Sequence, residues 1–344
     1  AHFQIATYTG NITDDRAITN DGNSDLQPDL IWFKNRETTN SHNLFDSTRG
    51  ASARLRSDDD SAEYSTATNM KSFDSDGMTI STDPATNGDG NGMVAWQWKA
   101  NGGSRTTNAE DGNNPAGGYQ ANTTAGFSIV DYTGTGAAGT MAHGLGAAPD
   151  LIIIKNRDEA DSWAVYHSAN TAAPETDYLI LDTTAGTADD AAWWNDTAPT
   201  STVFTVNTDH SVNADGETYV AYCFTSIQGY SKFGIYTGNG DDDGAFIYTG
   251  FKPAWVITKQ NDGGNYWHIH DNKRNPFNVV GKFLFANEAF AESDPAGGEN
   301  SRDFLSNGFK FRDADHNNHA QTYIYMAFAE QPFVTSGGVP CTAR

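Results

Sequence analysis

Cysteine is almost missing from this chain: Cys223 and Cys341 are the only two. No disulfide framework can be written with them, and the redox compartment stays open. Long apolar runs are missing too, and without about eighteen consecutive apolar residues there is no candidate membrane-spanning helix. The start, AHFQIATYTG, has neither the basic head nor the apolar stretch of a secretory signal. The chain therefore reads as soluble, and because its first residues already have the pattern of a strand, a longer product is expected upstream. Basic side chains are scarce: 21 Lys and Arg stand against 44 Asp and Glu, for a formal charge of −23. Such a balance repels a nucleic-acid backbone. It suits a surface in salty water, where self-repulsion is screened over about 10 Å at 0.1 M salt, and it suits cations.

Catalytic signatures are lacking as well. There is no GxSxG elbow, and Cys223 lies inside the apolar run YVAYCF, where a thiol is inert. GLGAAP from Gly144 precedes a strand pattern and not a helix, so no phosphate cradle forms. Carboxylates are plentiful enough to pair on paper as glycosidase acid and base, but those that recur do so in a turn, whereas an active site would be singular. The expectation is a protein that is not an enzyme.

What the chain does contain is itself, repeated. PDLIWFKNR from Pro28 recurs as PDLIIIKNR from Pro149 and, more loosely, as PAWVITKQN from Pro253. A YTG precedes each, at Tyr8, Tyr132 and Tyr236. HNLFDSTRG, WAVYHSAN and WHIHDNKRN follow in the same order, then SFDSDGMTIS, TVFTVNTD and FLSNGFKFR, and finally MVAWQWKA, TYVAYCFT and TYIYMAFAE. Repetition at this period defines structural units. The segments are short, rich in Val, Ile, Tyr, Trp and Phe, and bounded by turn residues, which is how strands are written. In MVAWQWKA, Val94, Trp96 and Trp98 share one face while Gln97 and Lys99 point the other way. DLIII from Asp150 has no polar alternate and reads as a strand covered on both sides.

The fold class is all-β: three tandem antiparallel β-sandwich repeats, jelly-roll or lectin-like, at 1–100, 127–229 and 230–335, each expected to bury its own interior. A polar Gly/Asn/Thr stretch over 101–126 reads as a linker, and 336–344 as a C-terminal tail. SIQGYSK is the only joint between the second and third repeats, which are expected to share a rigid contact.

Candidate sites are few. Asp83 with Asn87, Asp209 with Asn213, and Asp313 with Asn317 recur before the last strand of each repeat. Their side chains either hold a hairpin loop by hydrogen bonds to backbone N–H groups or offer oxygens to a hard cation such as Ca²⁺, helped by Asp89 or Asp215. No other cofactor is expected. His268, His270 and Asp271, with His316 and His319, form the best transition-metal cluster, since His268 and His270 share a strand face. The other repeats place Leu44 and Asp46, or Ala164 and Tyr166, at the paired positions, so histidine is not what the unit requires. Trp193 and Trp194 in DDAAWWNDT are the natural sugar-stacking platform, with Trp267 beside the histidines. The alternative for each aromatic is a place in the core.

Taken together, YTGN, PDLIWFKNR, NLFDSTRGA, SFDSDGMTIS, VAWQWKA, APDLIIIKNR, ETYVAYCF, GYSKFGIYTGNG, DFLSNGFKFR and TYIYMAFAEQPF resemble a triplicated β-domain of tail-fibre-like and other virion structural proteins of bacteriophages, especially marine ones. The resemblance covers almost the whole chain apart from 101–126. It implies a virion-surface or extracellular protein, a tail fibre, spike or capsid-surface component with a role in host attachment. Implied partners are other virion proteins, a glycan or protein receptor on the host, and further copies of the chain, a trimer being expected. No catalytic residue carries over. The alternative reading is a secreted or cell-surface carbohydrate-binding adhesin, and a more distant one a polysaccharide depolymerase.

Overall fold

The structure, a computed structural model, describes residues 1–295, 300–314 and 317–330. It is almost entirely β, with every named strand pair antiparallel. Three large sheets share one strand order. In the first, Phe3–Thr9, Gly92–Trp98, Leu30–Asn35 and Asn43–Asp46 lie side by side. The second places Phe127–Thr133, Thr218–Phe224, Leu151–Asn156 and Ala164–His167 in that order. In the third the order is Ser231–Thr237, Thr322–Phe328, Trp255–Gln260 and His268–Asp271. The last strand of each sequence unit is thus inserted in the middle of its sheet. That is why MVAWQWKA and its counterparts are buried on both faces and not on one.

Period-two alternation divides these strands between two interiors. Ile31, Phe33, Phe45 and Ala95 face a small sheet of Arg16–Ile18, Gly77–Ile80 and Met70–Asp74, and form the first unit's own sandwich core. The second and third units have matching cores. The alternate residues go elsewhere. Trp32, Trp96 and Trp98 join Ile153, Tyr222 and Phe224 and also Trp255, Met326 and Phe328 in one continuous cluster. The expectation that each repeat buries its interior alone is therefore corrected: each buries one face alone and the other against its two neighbours. The cause is legible in hindsight, since apolar residues occupy both alternates of every central strand.

The units contact one another head to tail around a closed ring. Glu63 N donates to Arg157 O, Thr187 N to Asn261 O, and Glu292 N to Arg36 O, at 2.8, 2.8 and 2.7 Å. Arg36, Arg157 and Asn261 are equivalent positions, so first meets third as second meets first and third meets second. An inner set of bonds repeats the pattern. Tyr222 donates to Asp46 at 2.8 Å, Trp96 Nε1 to Asp271 at 3.0 Å, and His167 Nε2 lies 3.2 Å from the Tyr325 carbonyl.

Residues 101–126, read above as a linker, contain the strands Thr106–Asn108 and Ala116–Asn122, and the second of these pairs along the whole of Phe127–Thr133. The polar composition misleads because glycine here serves close approach. A Cβ on Gly117 would stand 2.0 Å from the Asp131 carbonyl oxygen. Gln120 fastens the hairpin to the first unit, its amide donating to Ser47 and Thr48.

Candidate functional site

The recurring Asp and Asn residues act on their own loops. Asp83 and Asp209 cap the one-turn helices Pro84–Asn87 and His210–Asn213, accepting from Ala85 N and Ser211 N at 2.8 Å. Asn213 is fully buried; it donates to Ala137 O and Asn207 O and accepts from Thr135 N. Asn87 spans its loop in the same way, between Thr13 O, Ser81 O and Asn11 N. In the third unit this duty falls to Asn318, which donates to Asp241 O and Asp313 O. Asn317 instead enters the sandwich core, accepting from Thr258 and donating to Asn300, while Asp313 accepts from Ser301. The alignment of Asn317 with Asn87 is corrected by one residue. Among the described residues no group of three or more His, Cys, Asp or Glu is placed to hold a metal; His316 lies outside them.

The aromatic candidates are interior. Trp193 and Trp194 sit on the short helix Ala191–Trp194 and are 5% and 2% exposed, with Trp193 stacked on Tyr178 at 3.7 Å. Buried rings of this kind cannot offer a face to a sugar. Trp267 is buried between units and donates to Ile180 O, as Trp163 does to Arg56 O. His268 and His270 are buried as well, each with one ring nitrogen held near a backbone carbonyl, Tyr266 O and Asn300 O. Burial, then the charge of Arg302, holds His270 well below the usual imidazole range.

The repeated lysines form a further set that sequence reasoning left unassigned. Lys34, Lys155 and Lys259 have no exposed surface, and each ammonium donates to the carbonyls of the next residue and of the fourth residue on. Burial brings all three down to about 8. Their role is to gather carbonyls at the turn after the central strand.

One surface cleft contrasts in its lining with the acidic composition of the chain. A cleft of about 550 Å³ opens where the connection between the second and third units meets the third unit's edge strand and its hairpin tip. Ser226, Gln228 and Ser231 line one side, Thr249, Ser306 and Asn307 the other, and Tyr248 stands at the mouth with 58% of its surface exposed. The hairpin tip is fixed by bonds from Thr249 N and Gly250 N to Asn307 O. Lys232 donates to Tyr248 O at 2.8 Å and its ammonium lies 5.2 Å from the Tyr248 ring centre. None of the lining residues is acidic, although the chain carries 44 acidic side chains. Hydroxyls, amides and one presented ring are the groups that recognise a polyhydroxylated ligand. Sequence reasoning missed this place because its parts come from three separate polar loops.

These features define a class: an all-β protein of three like sheets closed about a common core, with a polar cleft on its outer surface. The chain belongs to the family described as Domain of unknown function (DUF7483), whose model matches residues 1–332. No curated protein matches it, and no solved structure does.

Proposed function

We propose that this chain is a structural protein of a phage virion surface, a tail-fibre, spike or capsid-surface component, that contributes to attachment by holding a host-surface glycan in the cleft beside Tyr248. The observation that carries the attachment role is the acid-free cleft itself, with an exposed ring and a polar rim on an otherwise strongly acidic chain. The resemblance of the repeated motifs to virion proteins supports the location. Rigidity supports the role: three units locked head to tail offer a fixed surface with little ordering cost on binding.

The test has two parts. Mass spectrometry of purified particles should find the chain among virion proteins, and its absence would defeat the location. A glycan array should return polysaccharide ligands whose binding is weakened about tenfold in Tyr248→Ala; silence across host glycans would defeat the attachment role. Binding without virion incorporation would favour the secreted or cell-surface adhesin, which the same cleft would serve.

A further inference from the structure

The third unit differs from the first inside its sandwich, at positions that should be the most alike. Across from Ile80 in the first unit's small sheet stands Met70; across from Phe311 in the third stands Arg302. Across from Ile31 stands Phe45; across from Val256 stands His270. Phe33 likewise gives way to Thr258. In the first unit Phe33, Phe45 and Met70 are core residues, so the fold of a unit is satisfied by apolar side chains there. The third unit has given up apolar packing for a cation and an imidazole.

Arg302 has no exposed surface. Its guanidinium lies 4.8 Å from the Phe311 ring centre and 5.9 Å from that of Phe309, contacts that satisfy the flat face of the group. They leave its edge. Nε, Nη1 and Nη2 have no hydrogen-bond partner among the described residues, although an arginine edge carries five N–H donors. Among the described carboxylates, Asp303 pairs with Arg312, and Asp313, whose charge acts on Arg302, accepts from Ser301. His270 is adjacent, its Nε2 donating to the carbonyl of Asn300, two residues before Arg302, which leaves Nδ1 as the acceptor of a neutral ring and the guanidinium as the one ligand for an anion. A buried cation without an acceptor carries a large desolvation penalty that an apposed anion removes.

We propose that the third unit encloses a small inorganic anion, of the size and charge of a halide, bound by the edge of the Arg302 guanidinium beside His270. Full burial of both side chains selects an ion over any larger ligand. The first unit, with Met70 and Phe45, has no such site.

The experiment uses the full chain. Thermal unfolding is followed in sodium chloride, sodium bromide and sodium gluconate at equal ionic strength, and crystals soaked in bromide are measured for anomalous scattering. A bound ion stabilises the folded state by mass action, so the halides should raise Tm by roughly 5 °C over gluconate at one hundred times Kd. An anomalous peak should lie beside the Arg302 edge. Arg302→Met, which copies the first unit, should abolish the difference between halide and gluconate. Equal Tm in all three salts together with no bromide peak, or ordered water alone at that edge, would overturn the proposal. If Arg302→Met does not fold, the bromide peak and the salt dependence of the unmodified chain still decide the matter.

Discussion

Arg157 and Glu63 meet edge to edge, Nε on Oε2 and Nη2 on Oε1, both at 2.8 Å, and in doing so tie the second unit to the first. The same Glu63 accepts from Arg49, whose guanidinium is fully buried and also contacts Asp46 and the Tyr222 hydroxyl. The pair is thus one edge of a network that crosses the seam. Arg36 and Glu292 occupy the equivalent place between the first and third units, with Arg274 as the buried second arginine.

Breaking this network from its two ends should have unequal effects. Glu63→Ala removes the partner of Arg157 and one acceptor of the buried Arg49, which keeps Asp46, and should cost about 2 kcal/mol of unfolding free energy. Arg157→Ala leaves Glu63 still paired with Arg49 and should cost about 1 kcal/mol. Urea unfolding of the two variants checks the order, and equal losses would show that the seam does not depend on Arg49.

Acid should loosen both seams. Burial alone would raise Glu63 and Glu292, but hydrogen bonds and charge from Arg157 and Arg49, and from Arg36 and Arg274, outweigh it and hold both below the usual glutamate value. Their folded-state affinity for protons is therefore weaker than in the unfolded chain. The stability they supply is complete above about pH 4.3 and is lost as pH falls through their folded values. Glu292→Gln should flatten the acid limb of a plot of Tm against pH.

The three buried lysines make a prediction of the same sign on the alkaline side, there because burial disfavours the charged form. Each has a folded value of about 8 against about 10.4 when unfolded, so between those limits the unfolded chain binds more protons. Stability should rise from pH 8 toward pH 10. Lys155→Met should remove about one third of the rise, since it removes one of three like groups. A Tm that falls steadily over this interval would contradict the burial of these ammonium groups.

Loop clamping by asparagine separates Asn318 from Asn317. Asn213→Ala and Asn318→Ala each strip a buried, multiply bonded amide from a loop and should each cost about 2 to 3 kcal/mol. Chelator or added Ca²⁺ should leave the Tm of the parent chain unchanged. A calcium-dependent rise that Asp83→Asn or Asp209→Asn abolishes would reinstate the cation reading of these turns.

The cleft makes the functional prediction. Tyr248→Ala should weaken binding of a glycan found on an array about tenfold, the scale of one lost aromatic contact, with no change in Tm because the ring is largely exposed. Ser306→Trp, which fills the cleft, should do the same. Unchanged affinity in both would move the binding surface elsewhere.

The strands were legible because their alternation is strong: Leu151 to Ile154 have no polar alternate, and they form a strand covered on both faces. Closure of the ring was not, because the seams use different chemistry at equivalent positions. Arg36 and Arg157 take glutamates, whereas Asn261 donates to the Asn170 carbonyl. The Asn317 assignment failed because the third loop is one residue longer between its aspartate and its clamping asparagine than the first two. The sugar-stacking reading of the tryptophan pair gives way to the core reading weighed beside it: DDAAWWNDT has the composition of an exposed loop, yet Asp190 caps a helical turn that carries both rings inward.

Head-to-tail closure gives every unit one donor flank and one acceptor flank, so the repertoire of contacts is complete within a single third of the chain. Three unlinked copies of an ancestral third could assemble the same object as a homotrimer, and covalent fusion would then have freed each third to diverge, as Arg302 and His270 have from Met70 and Phe45.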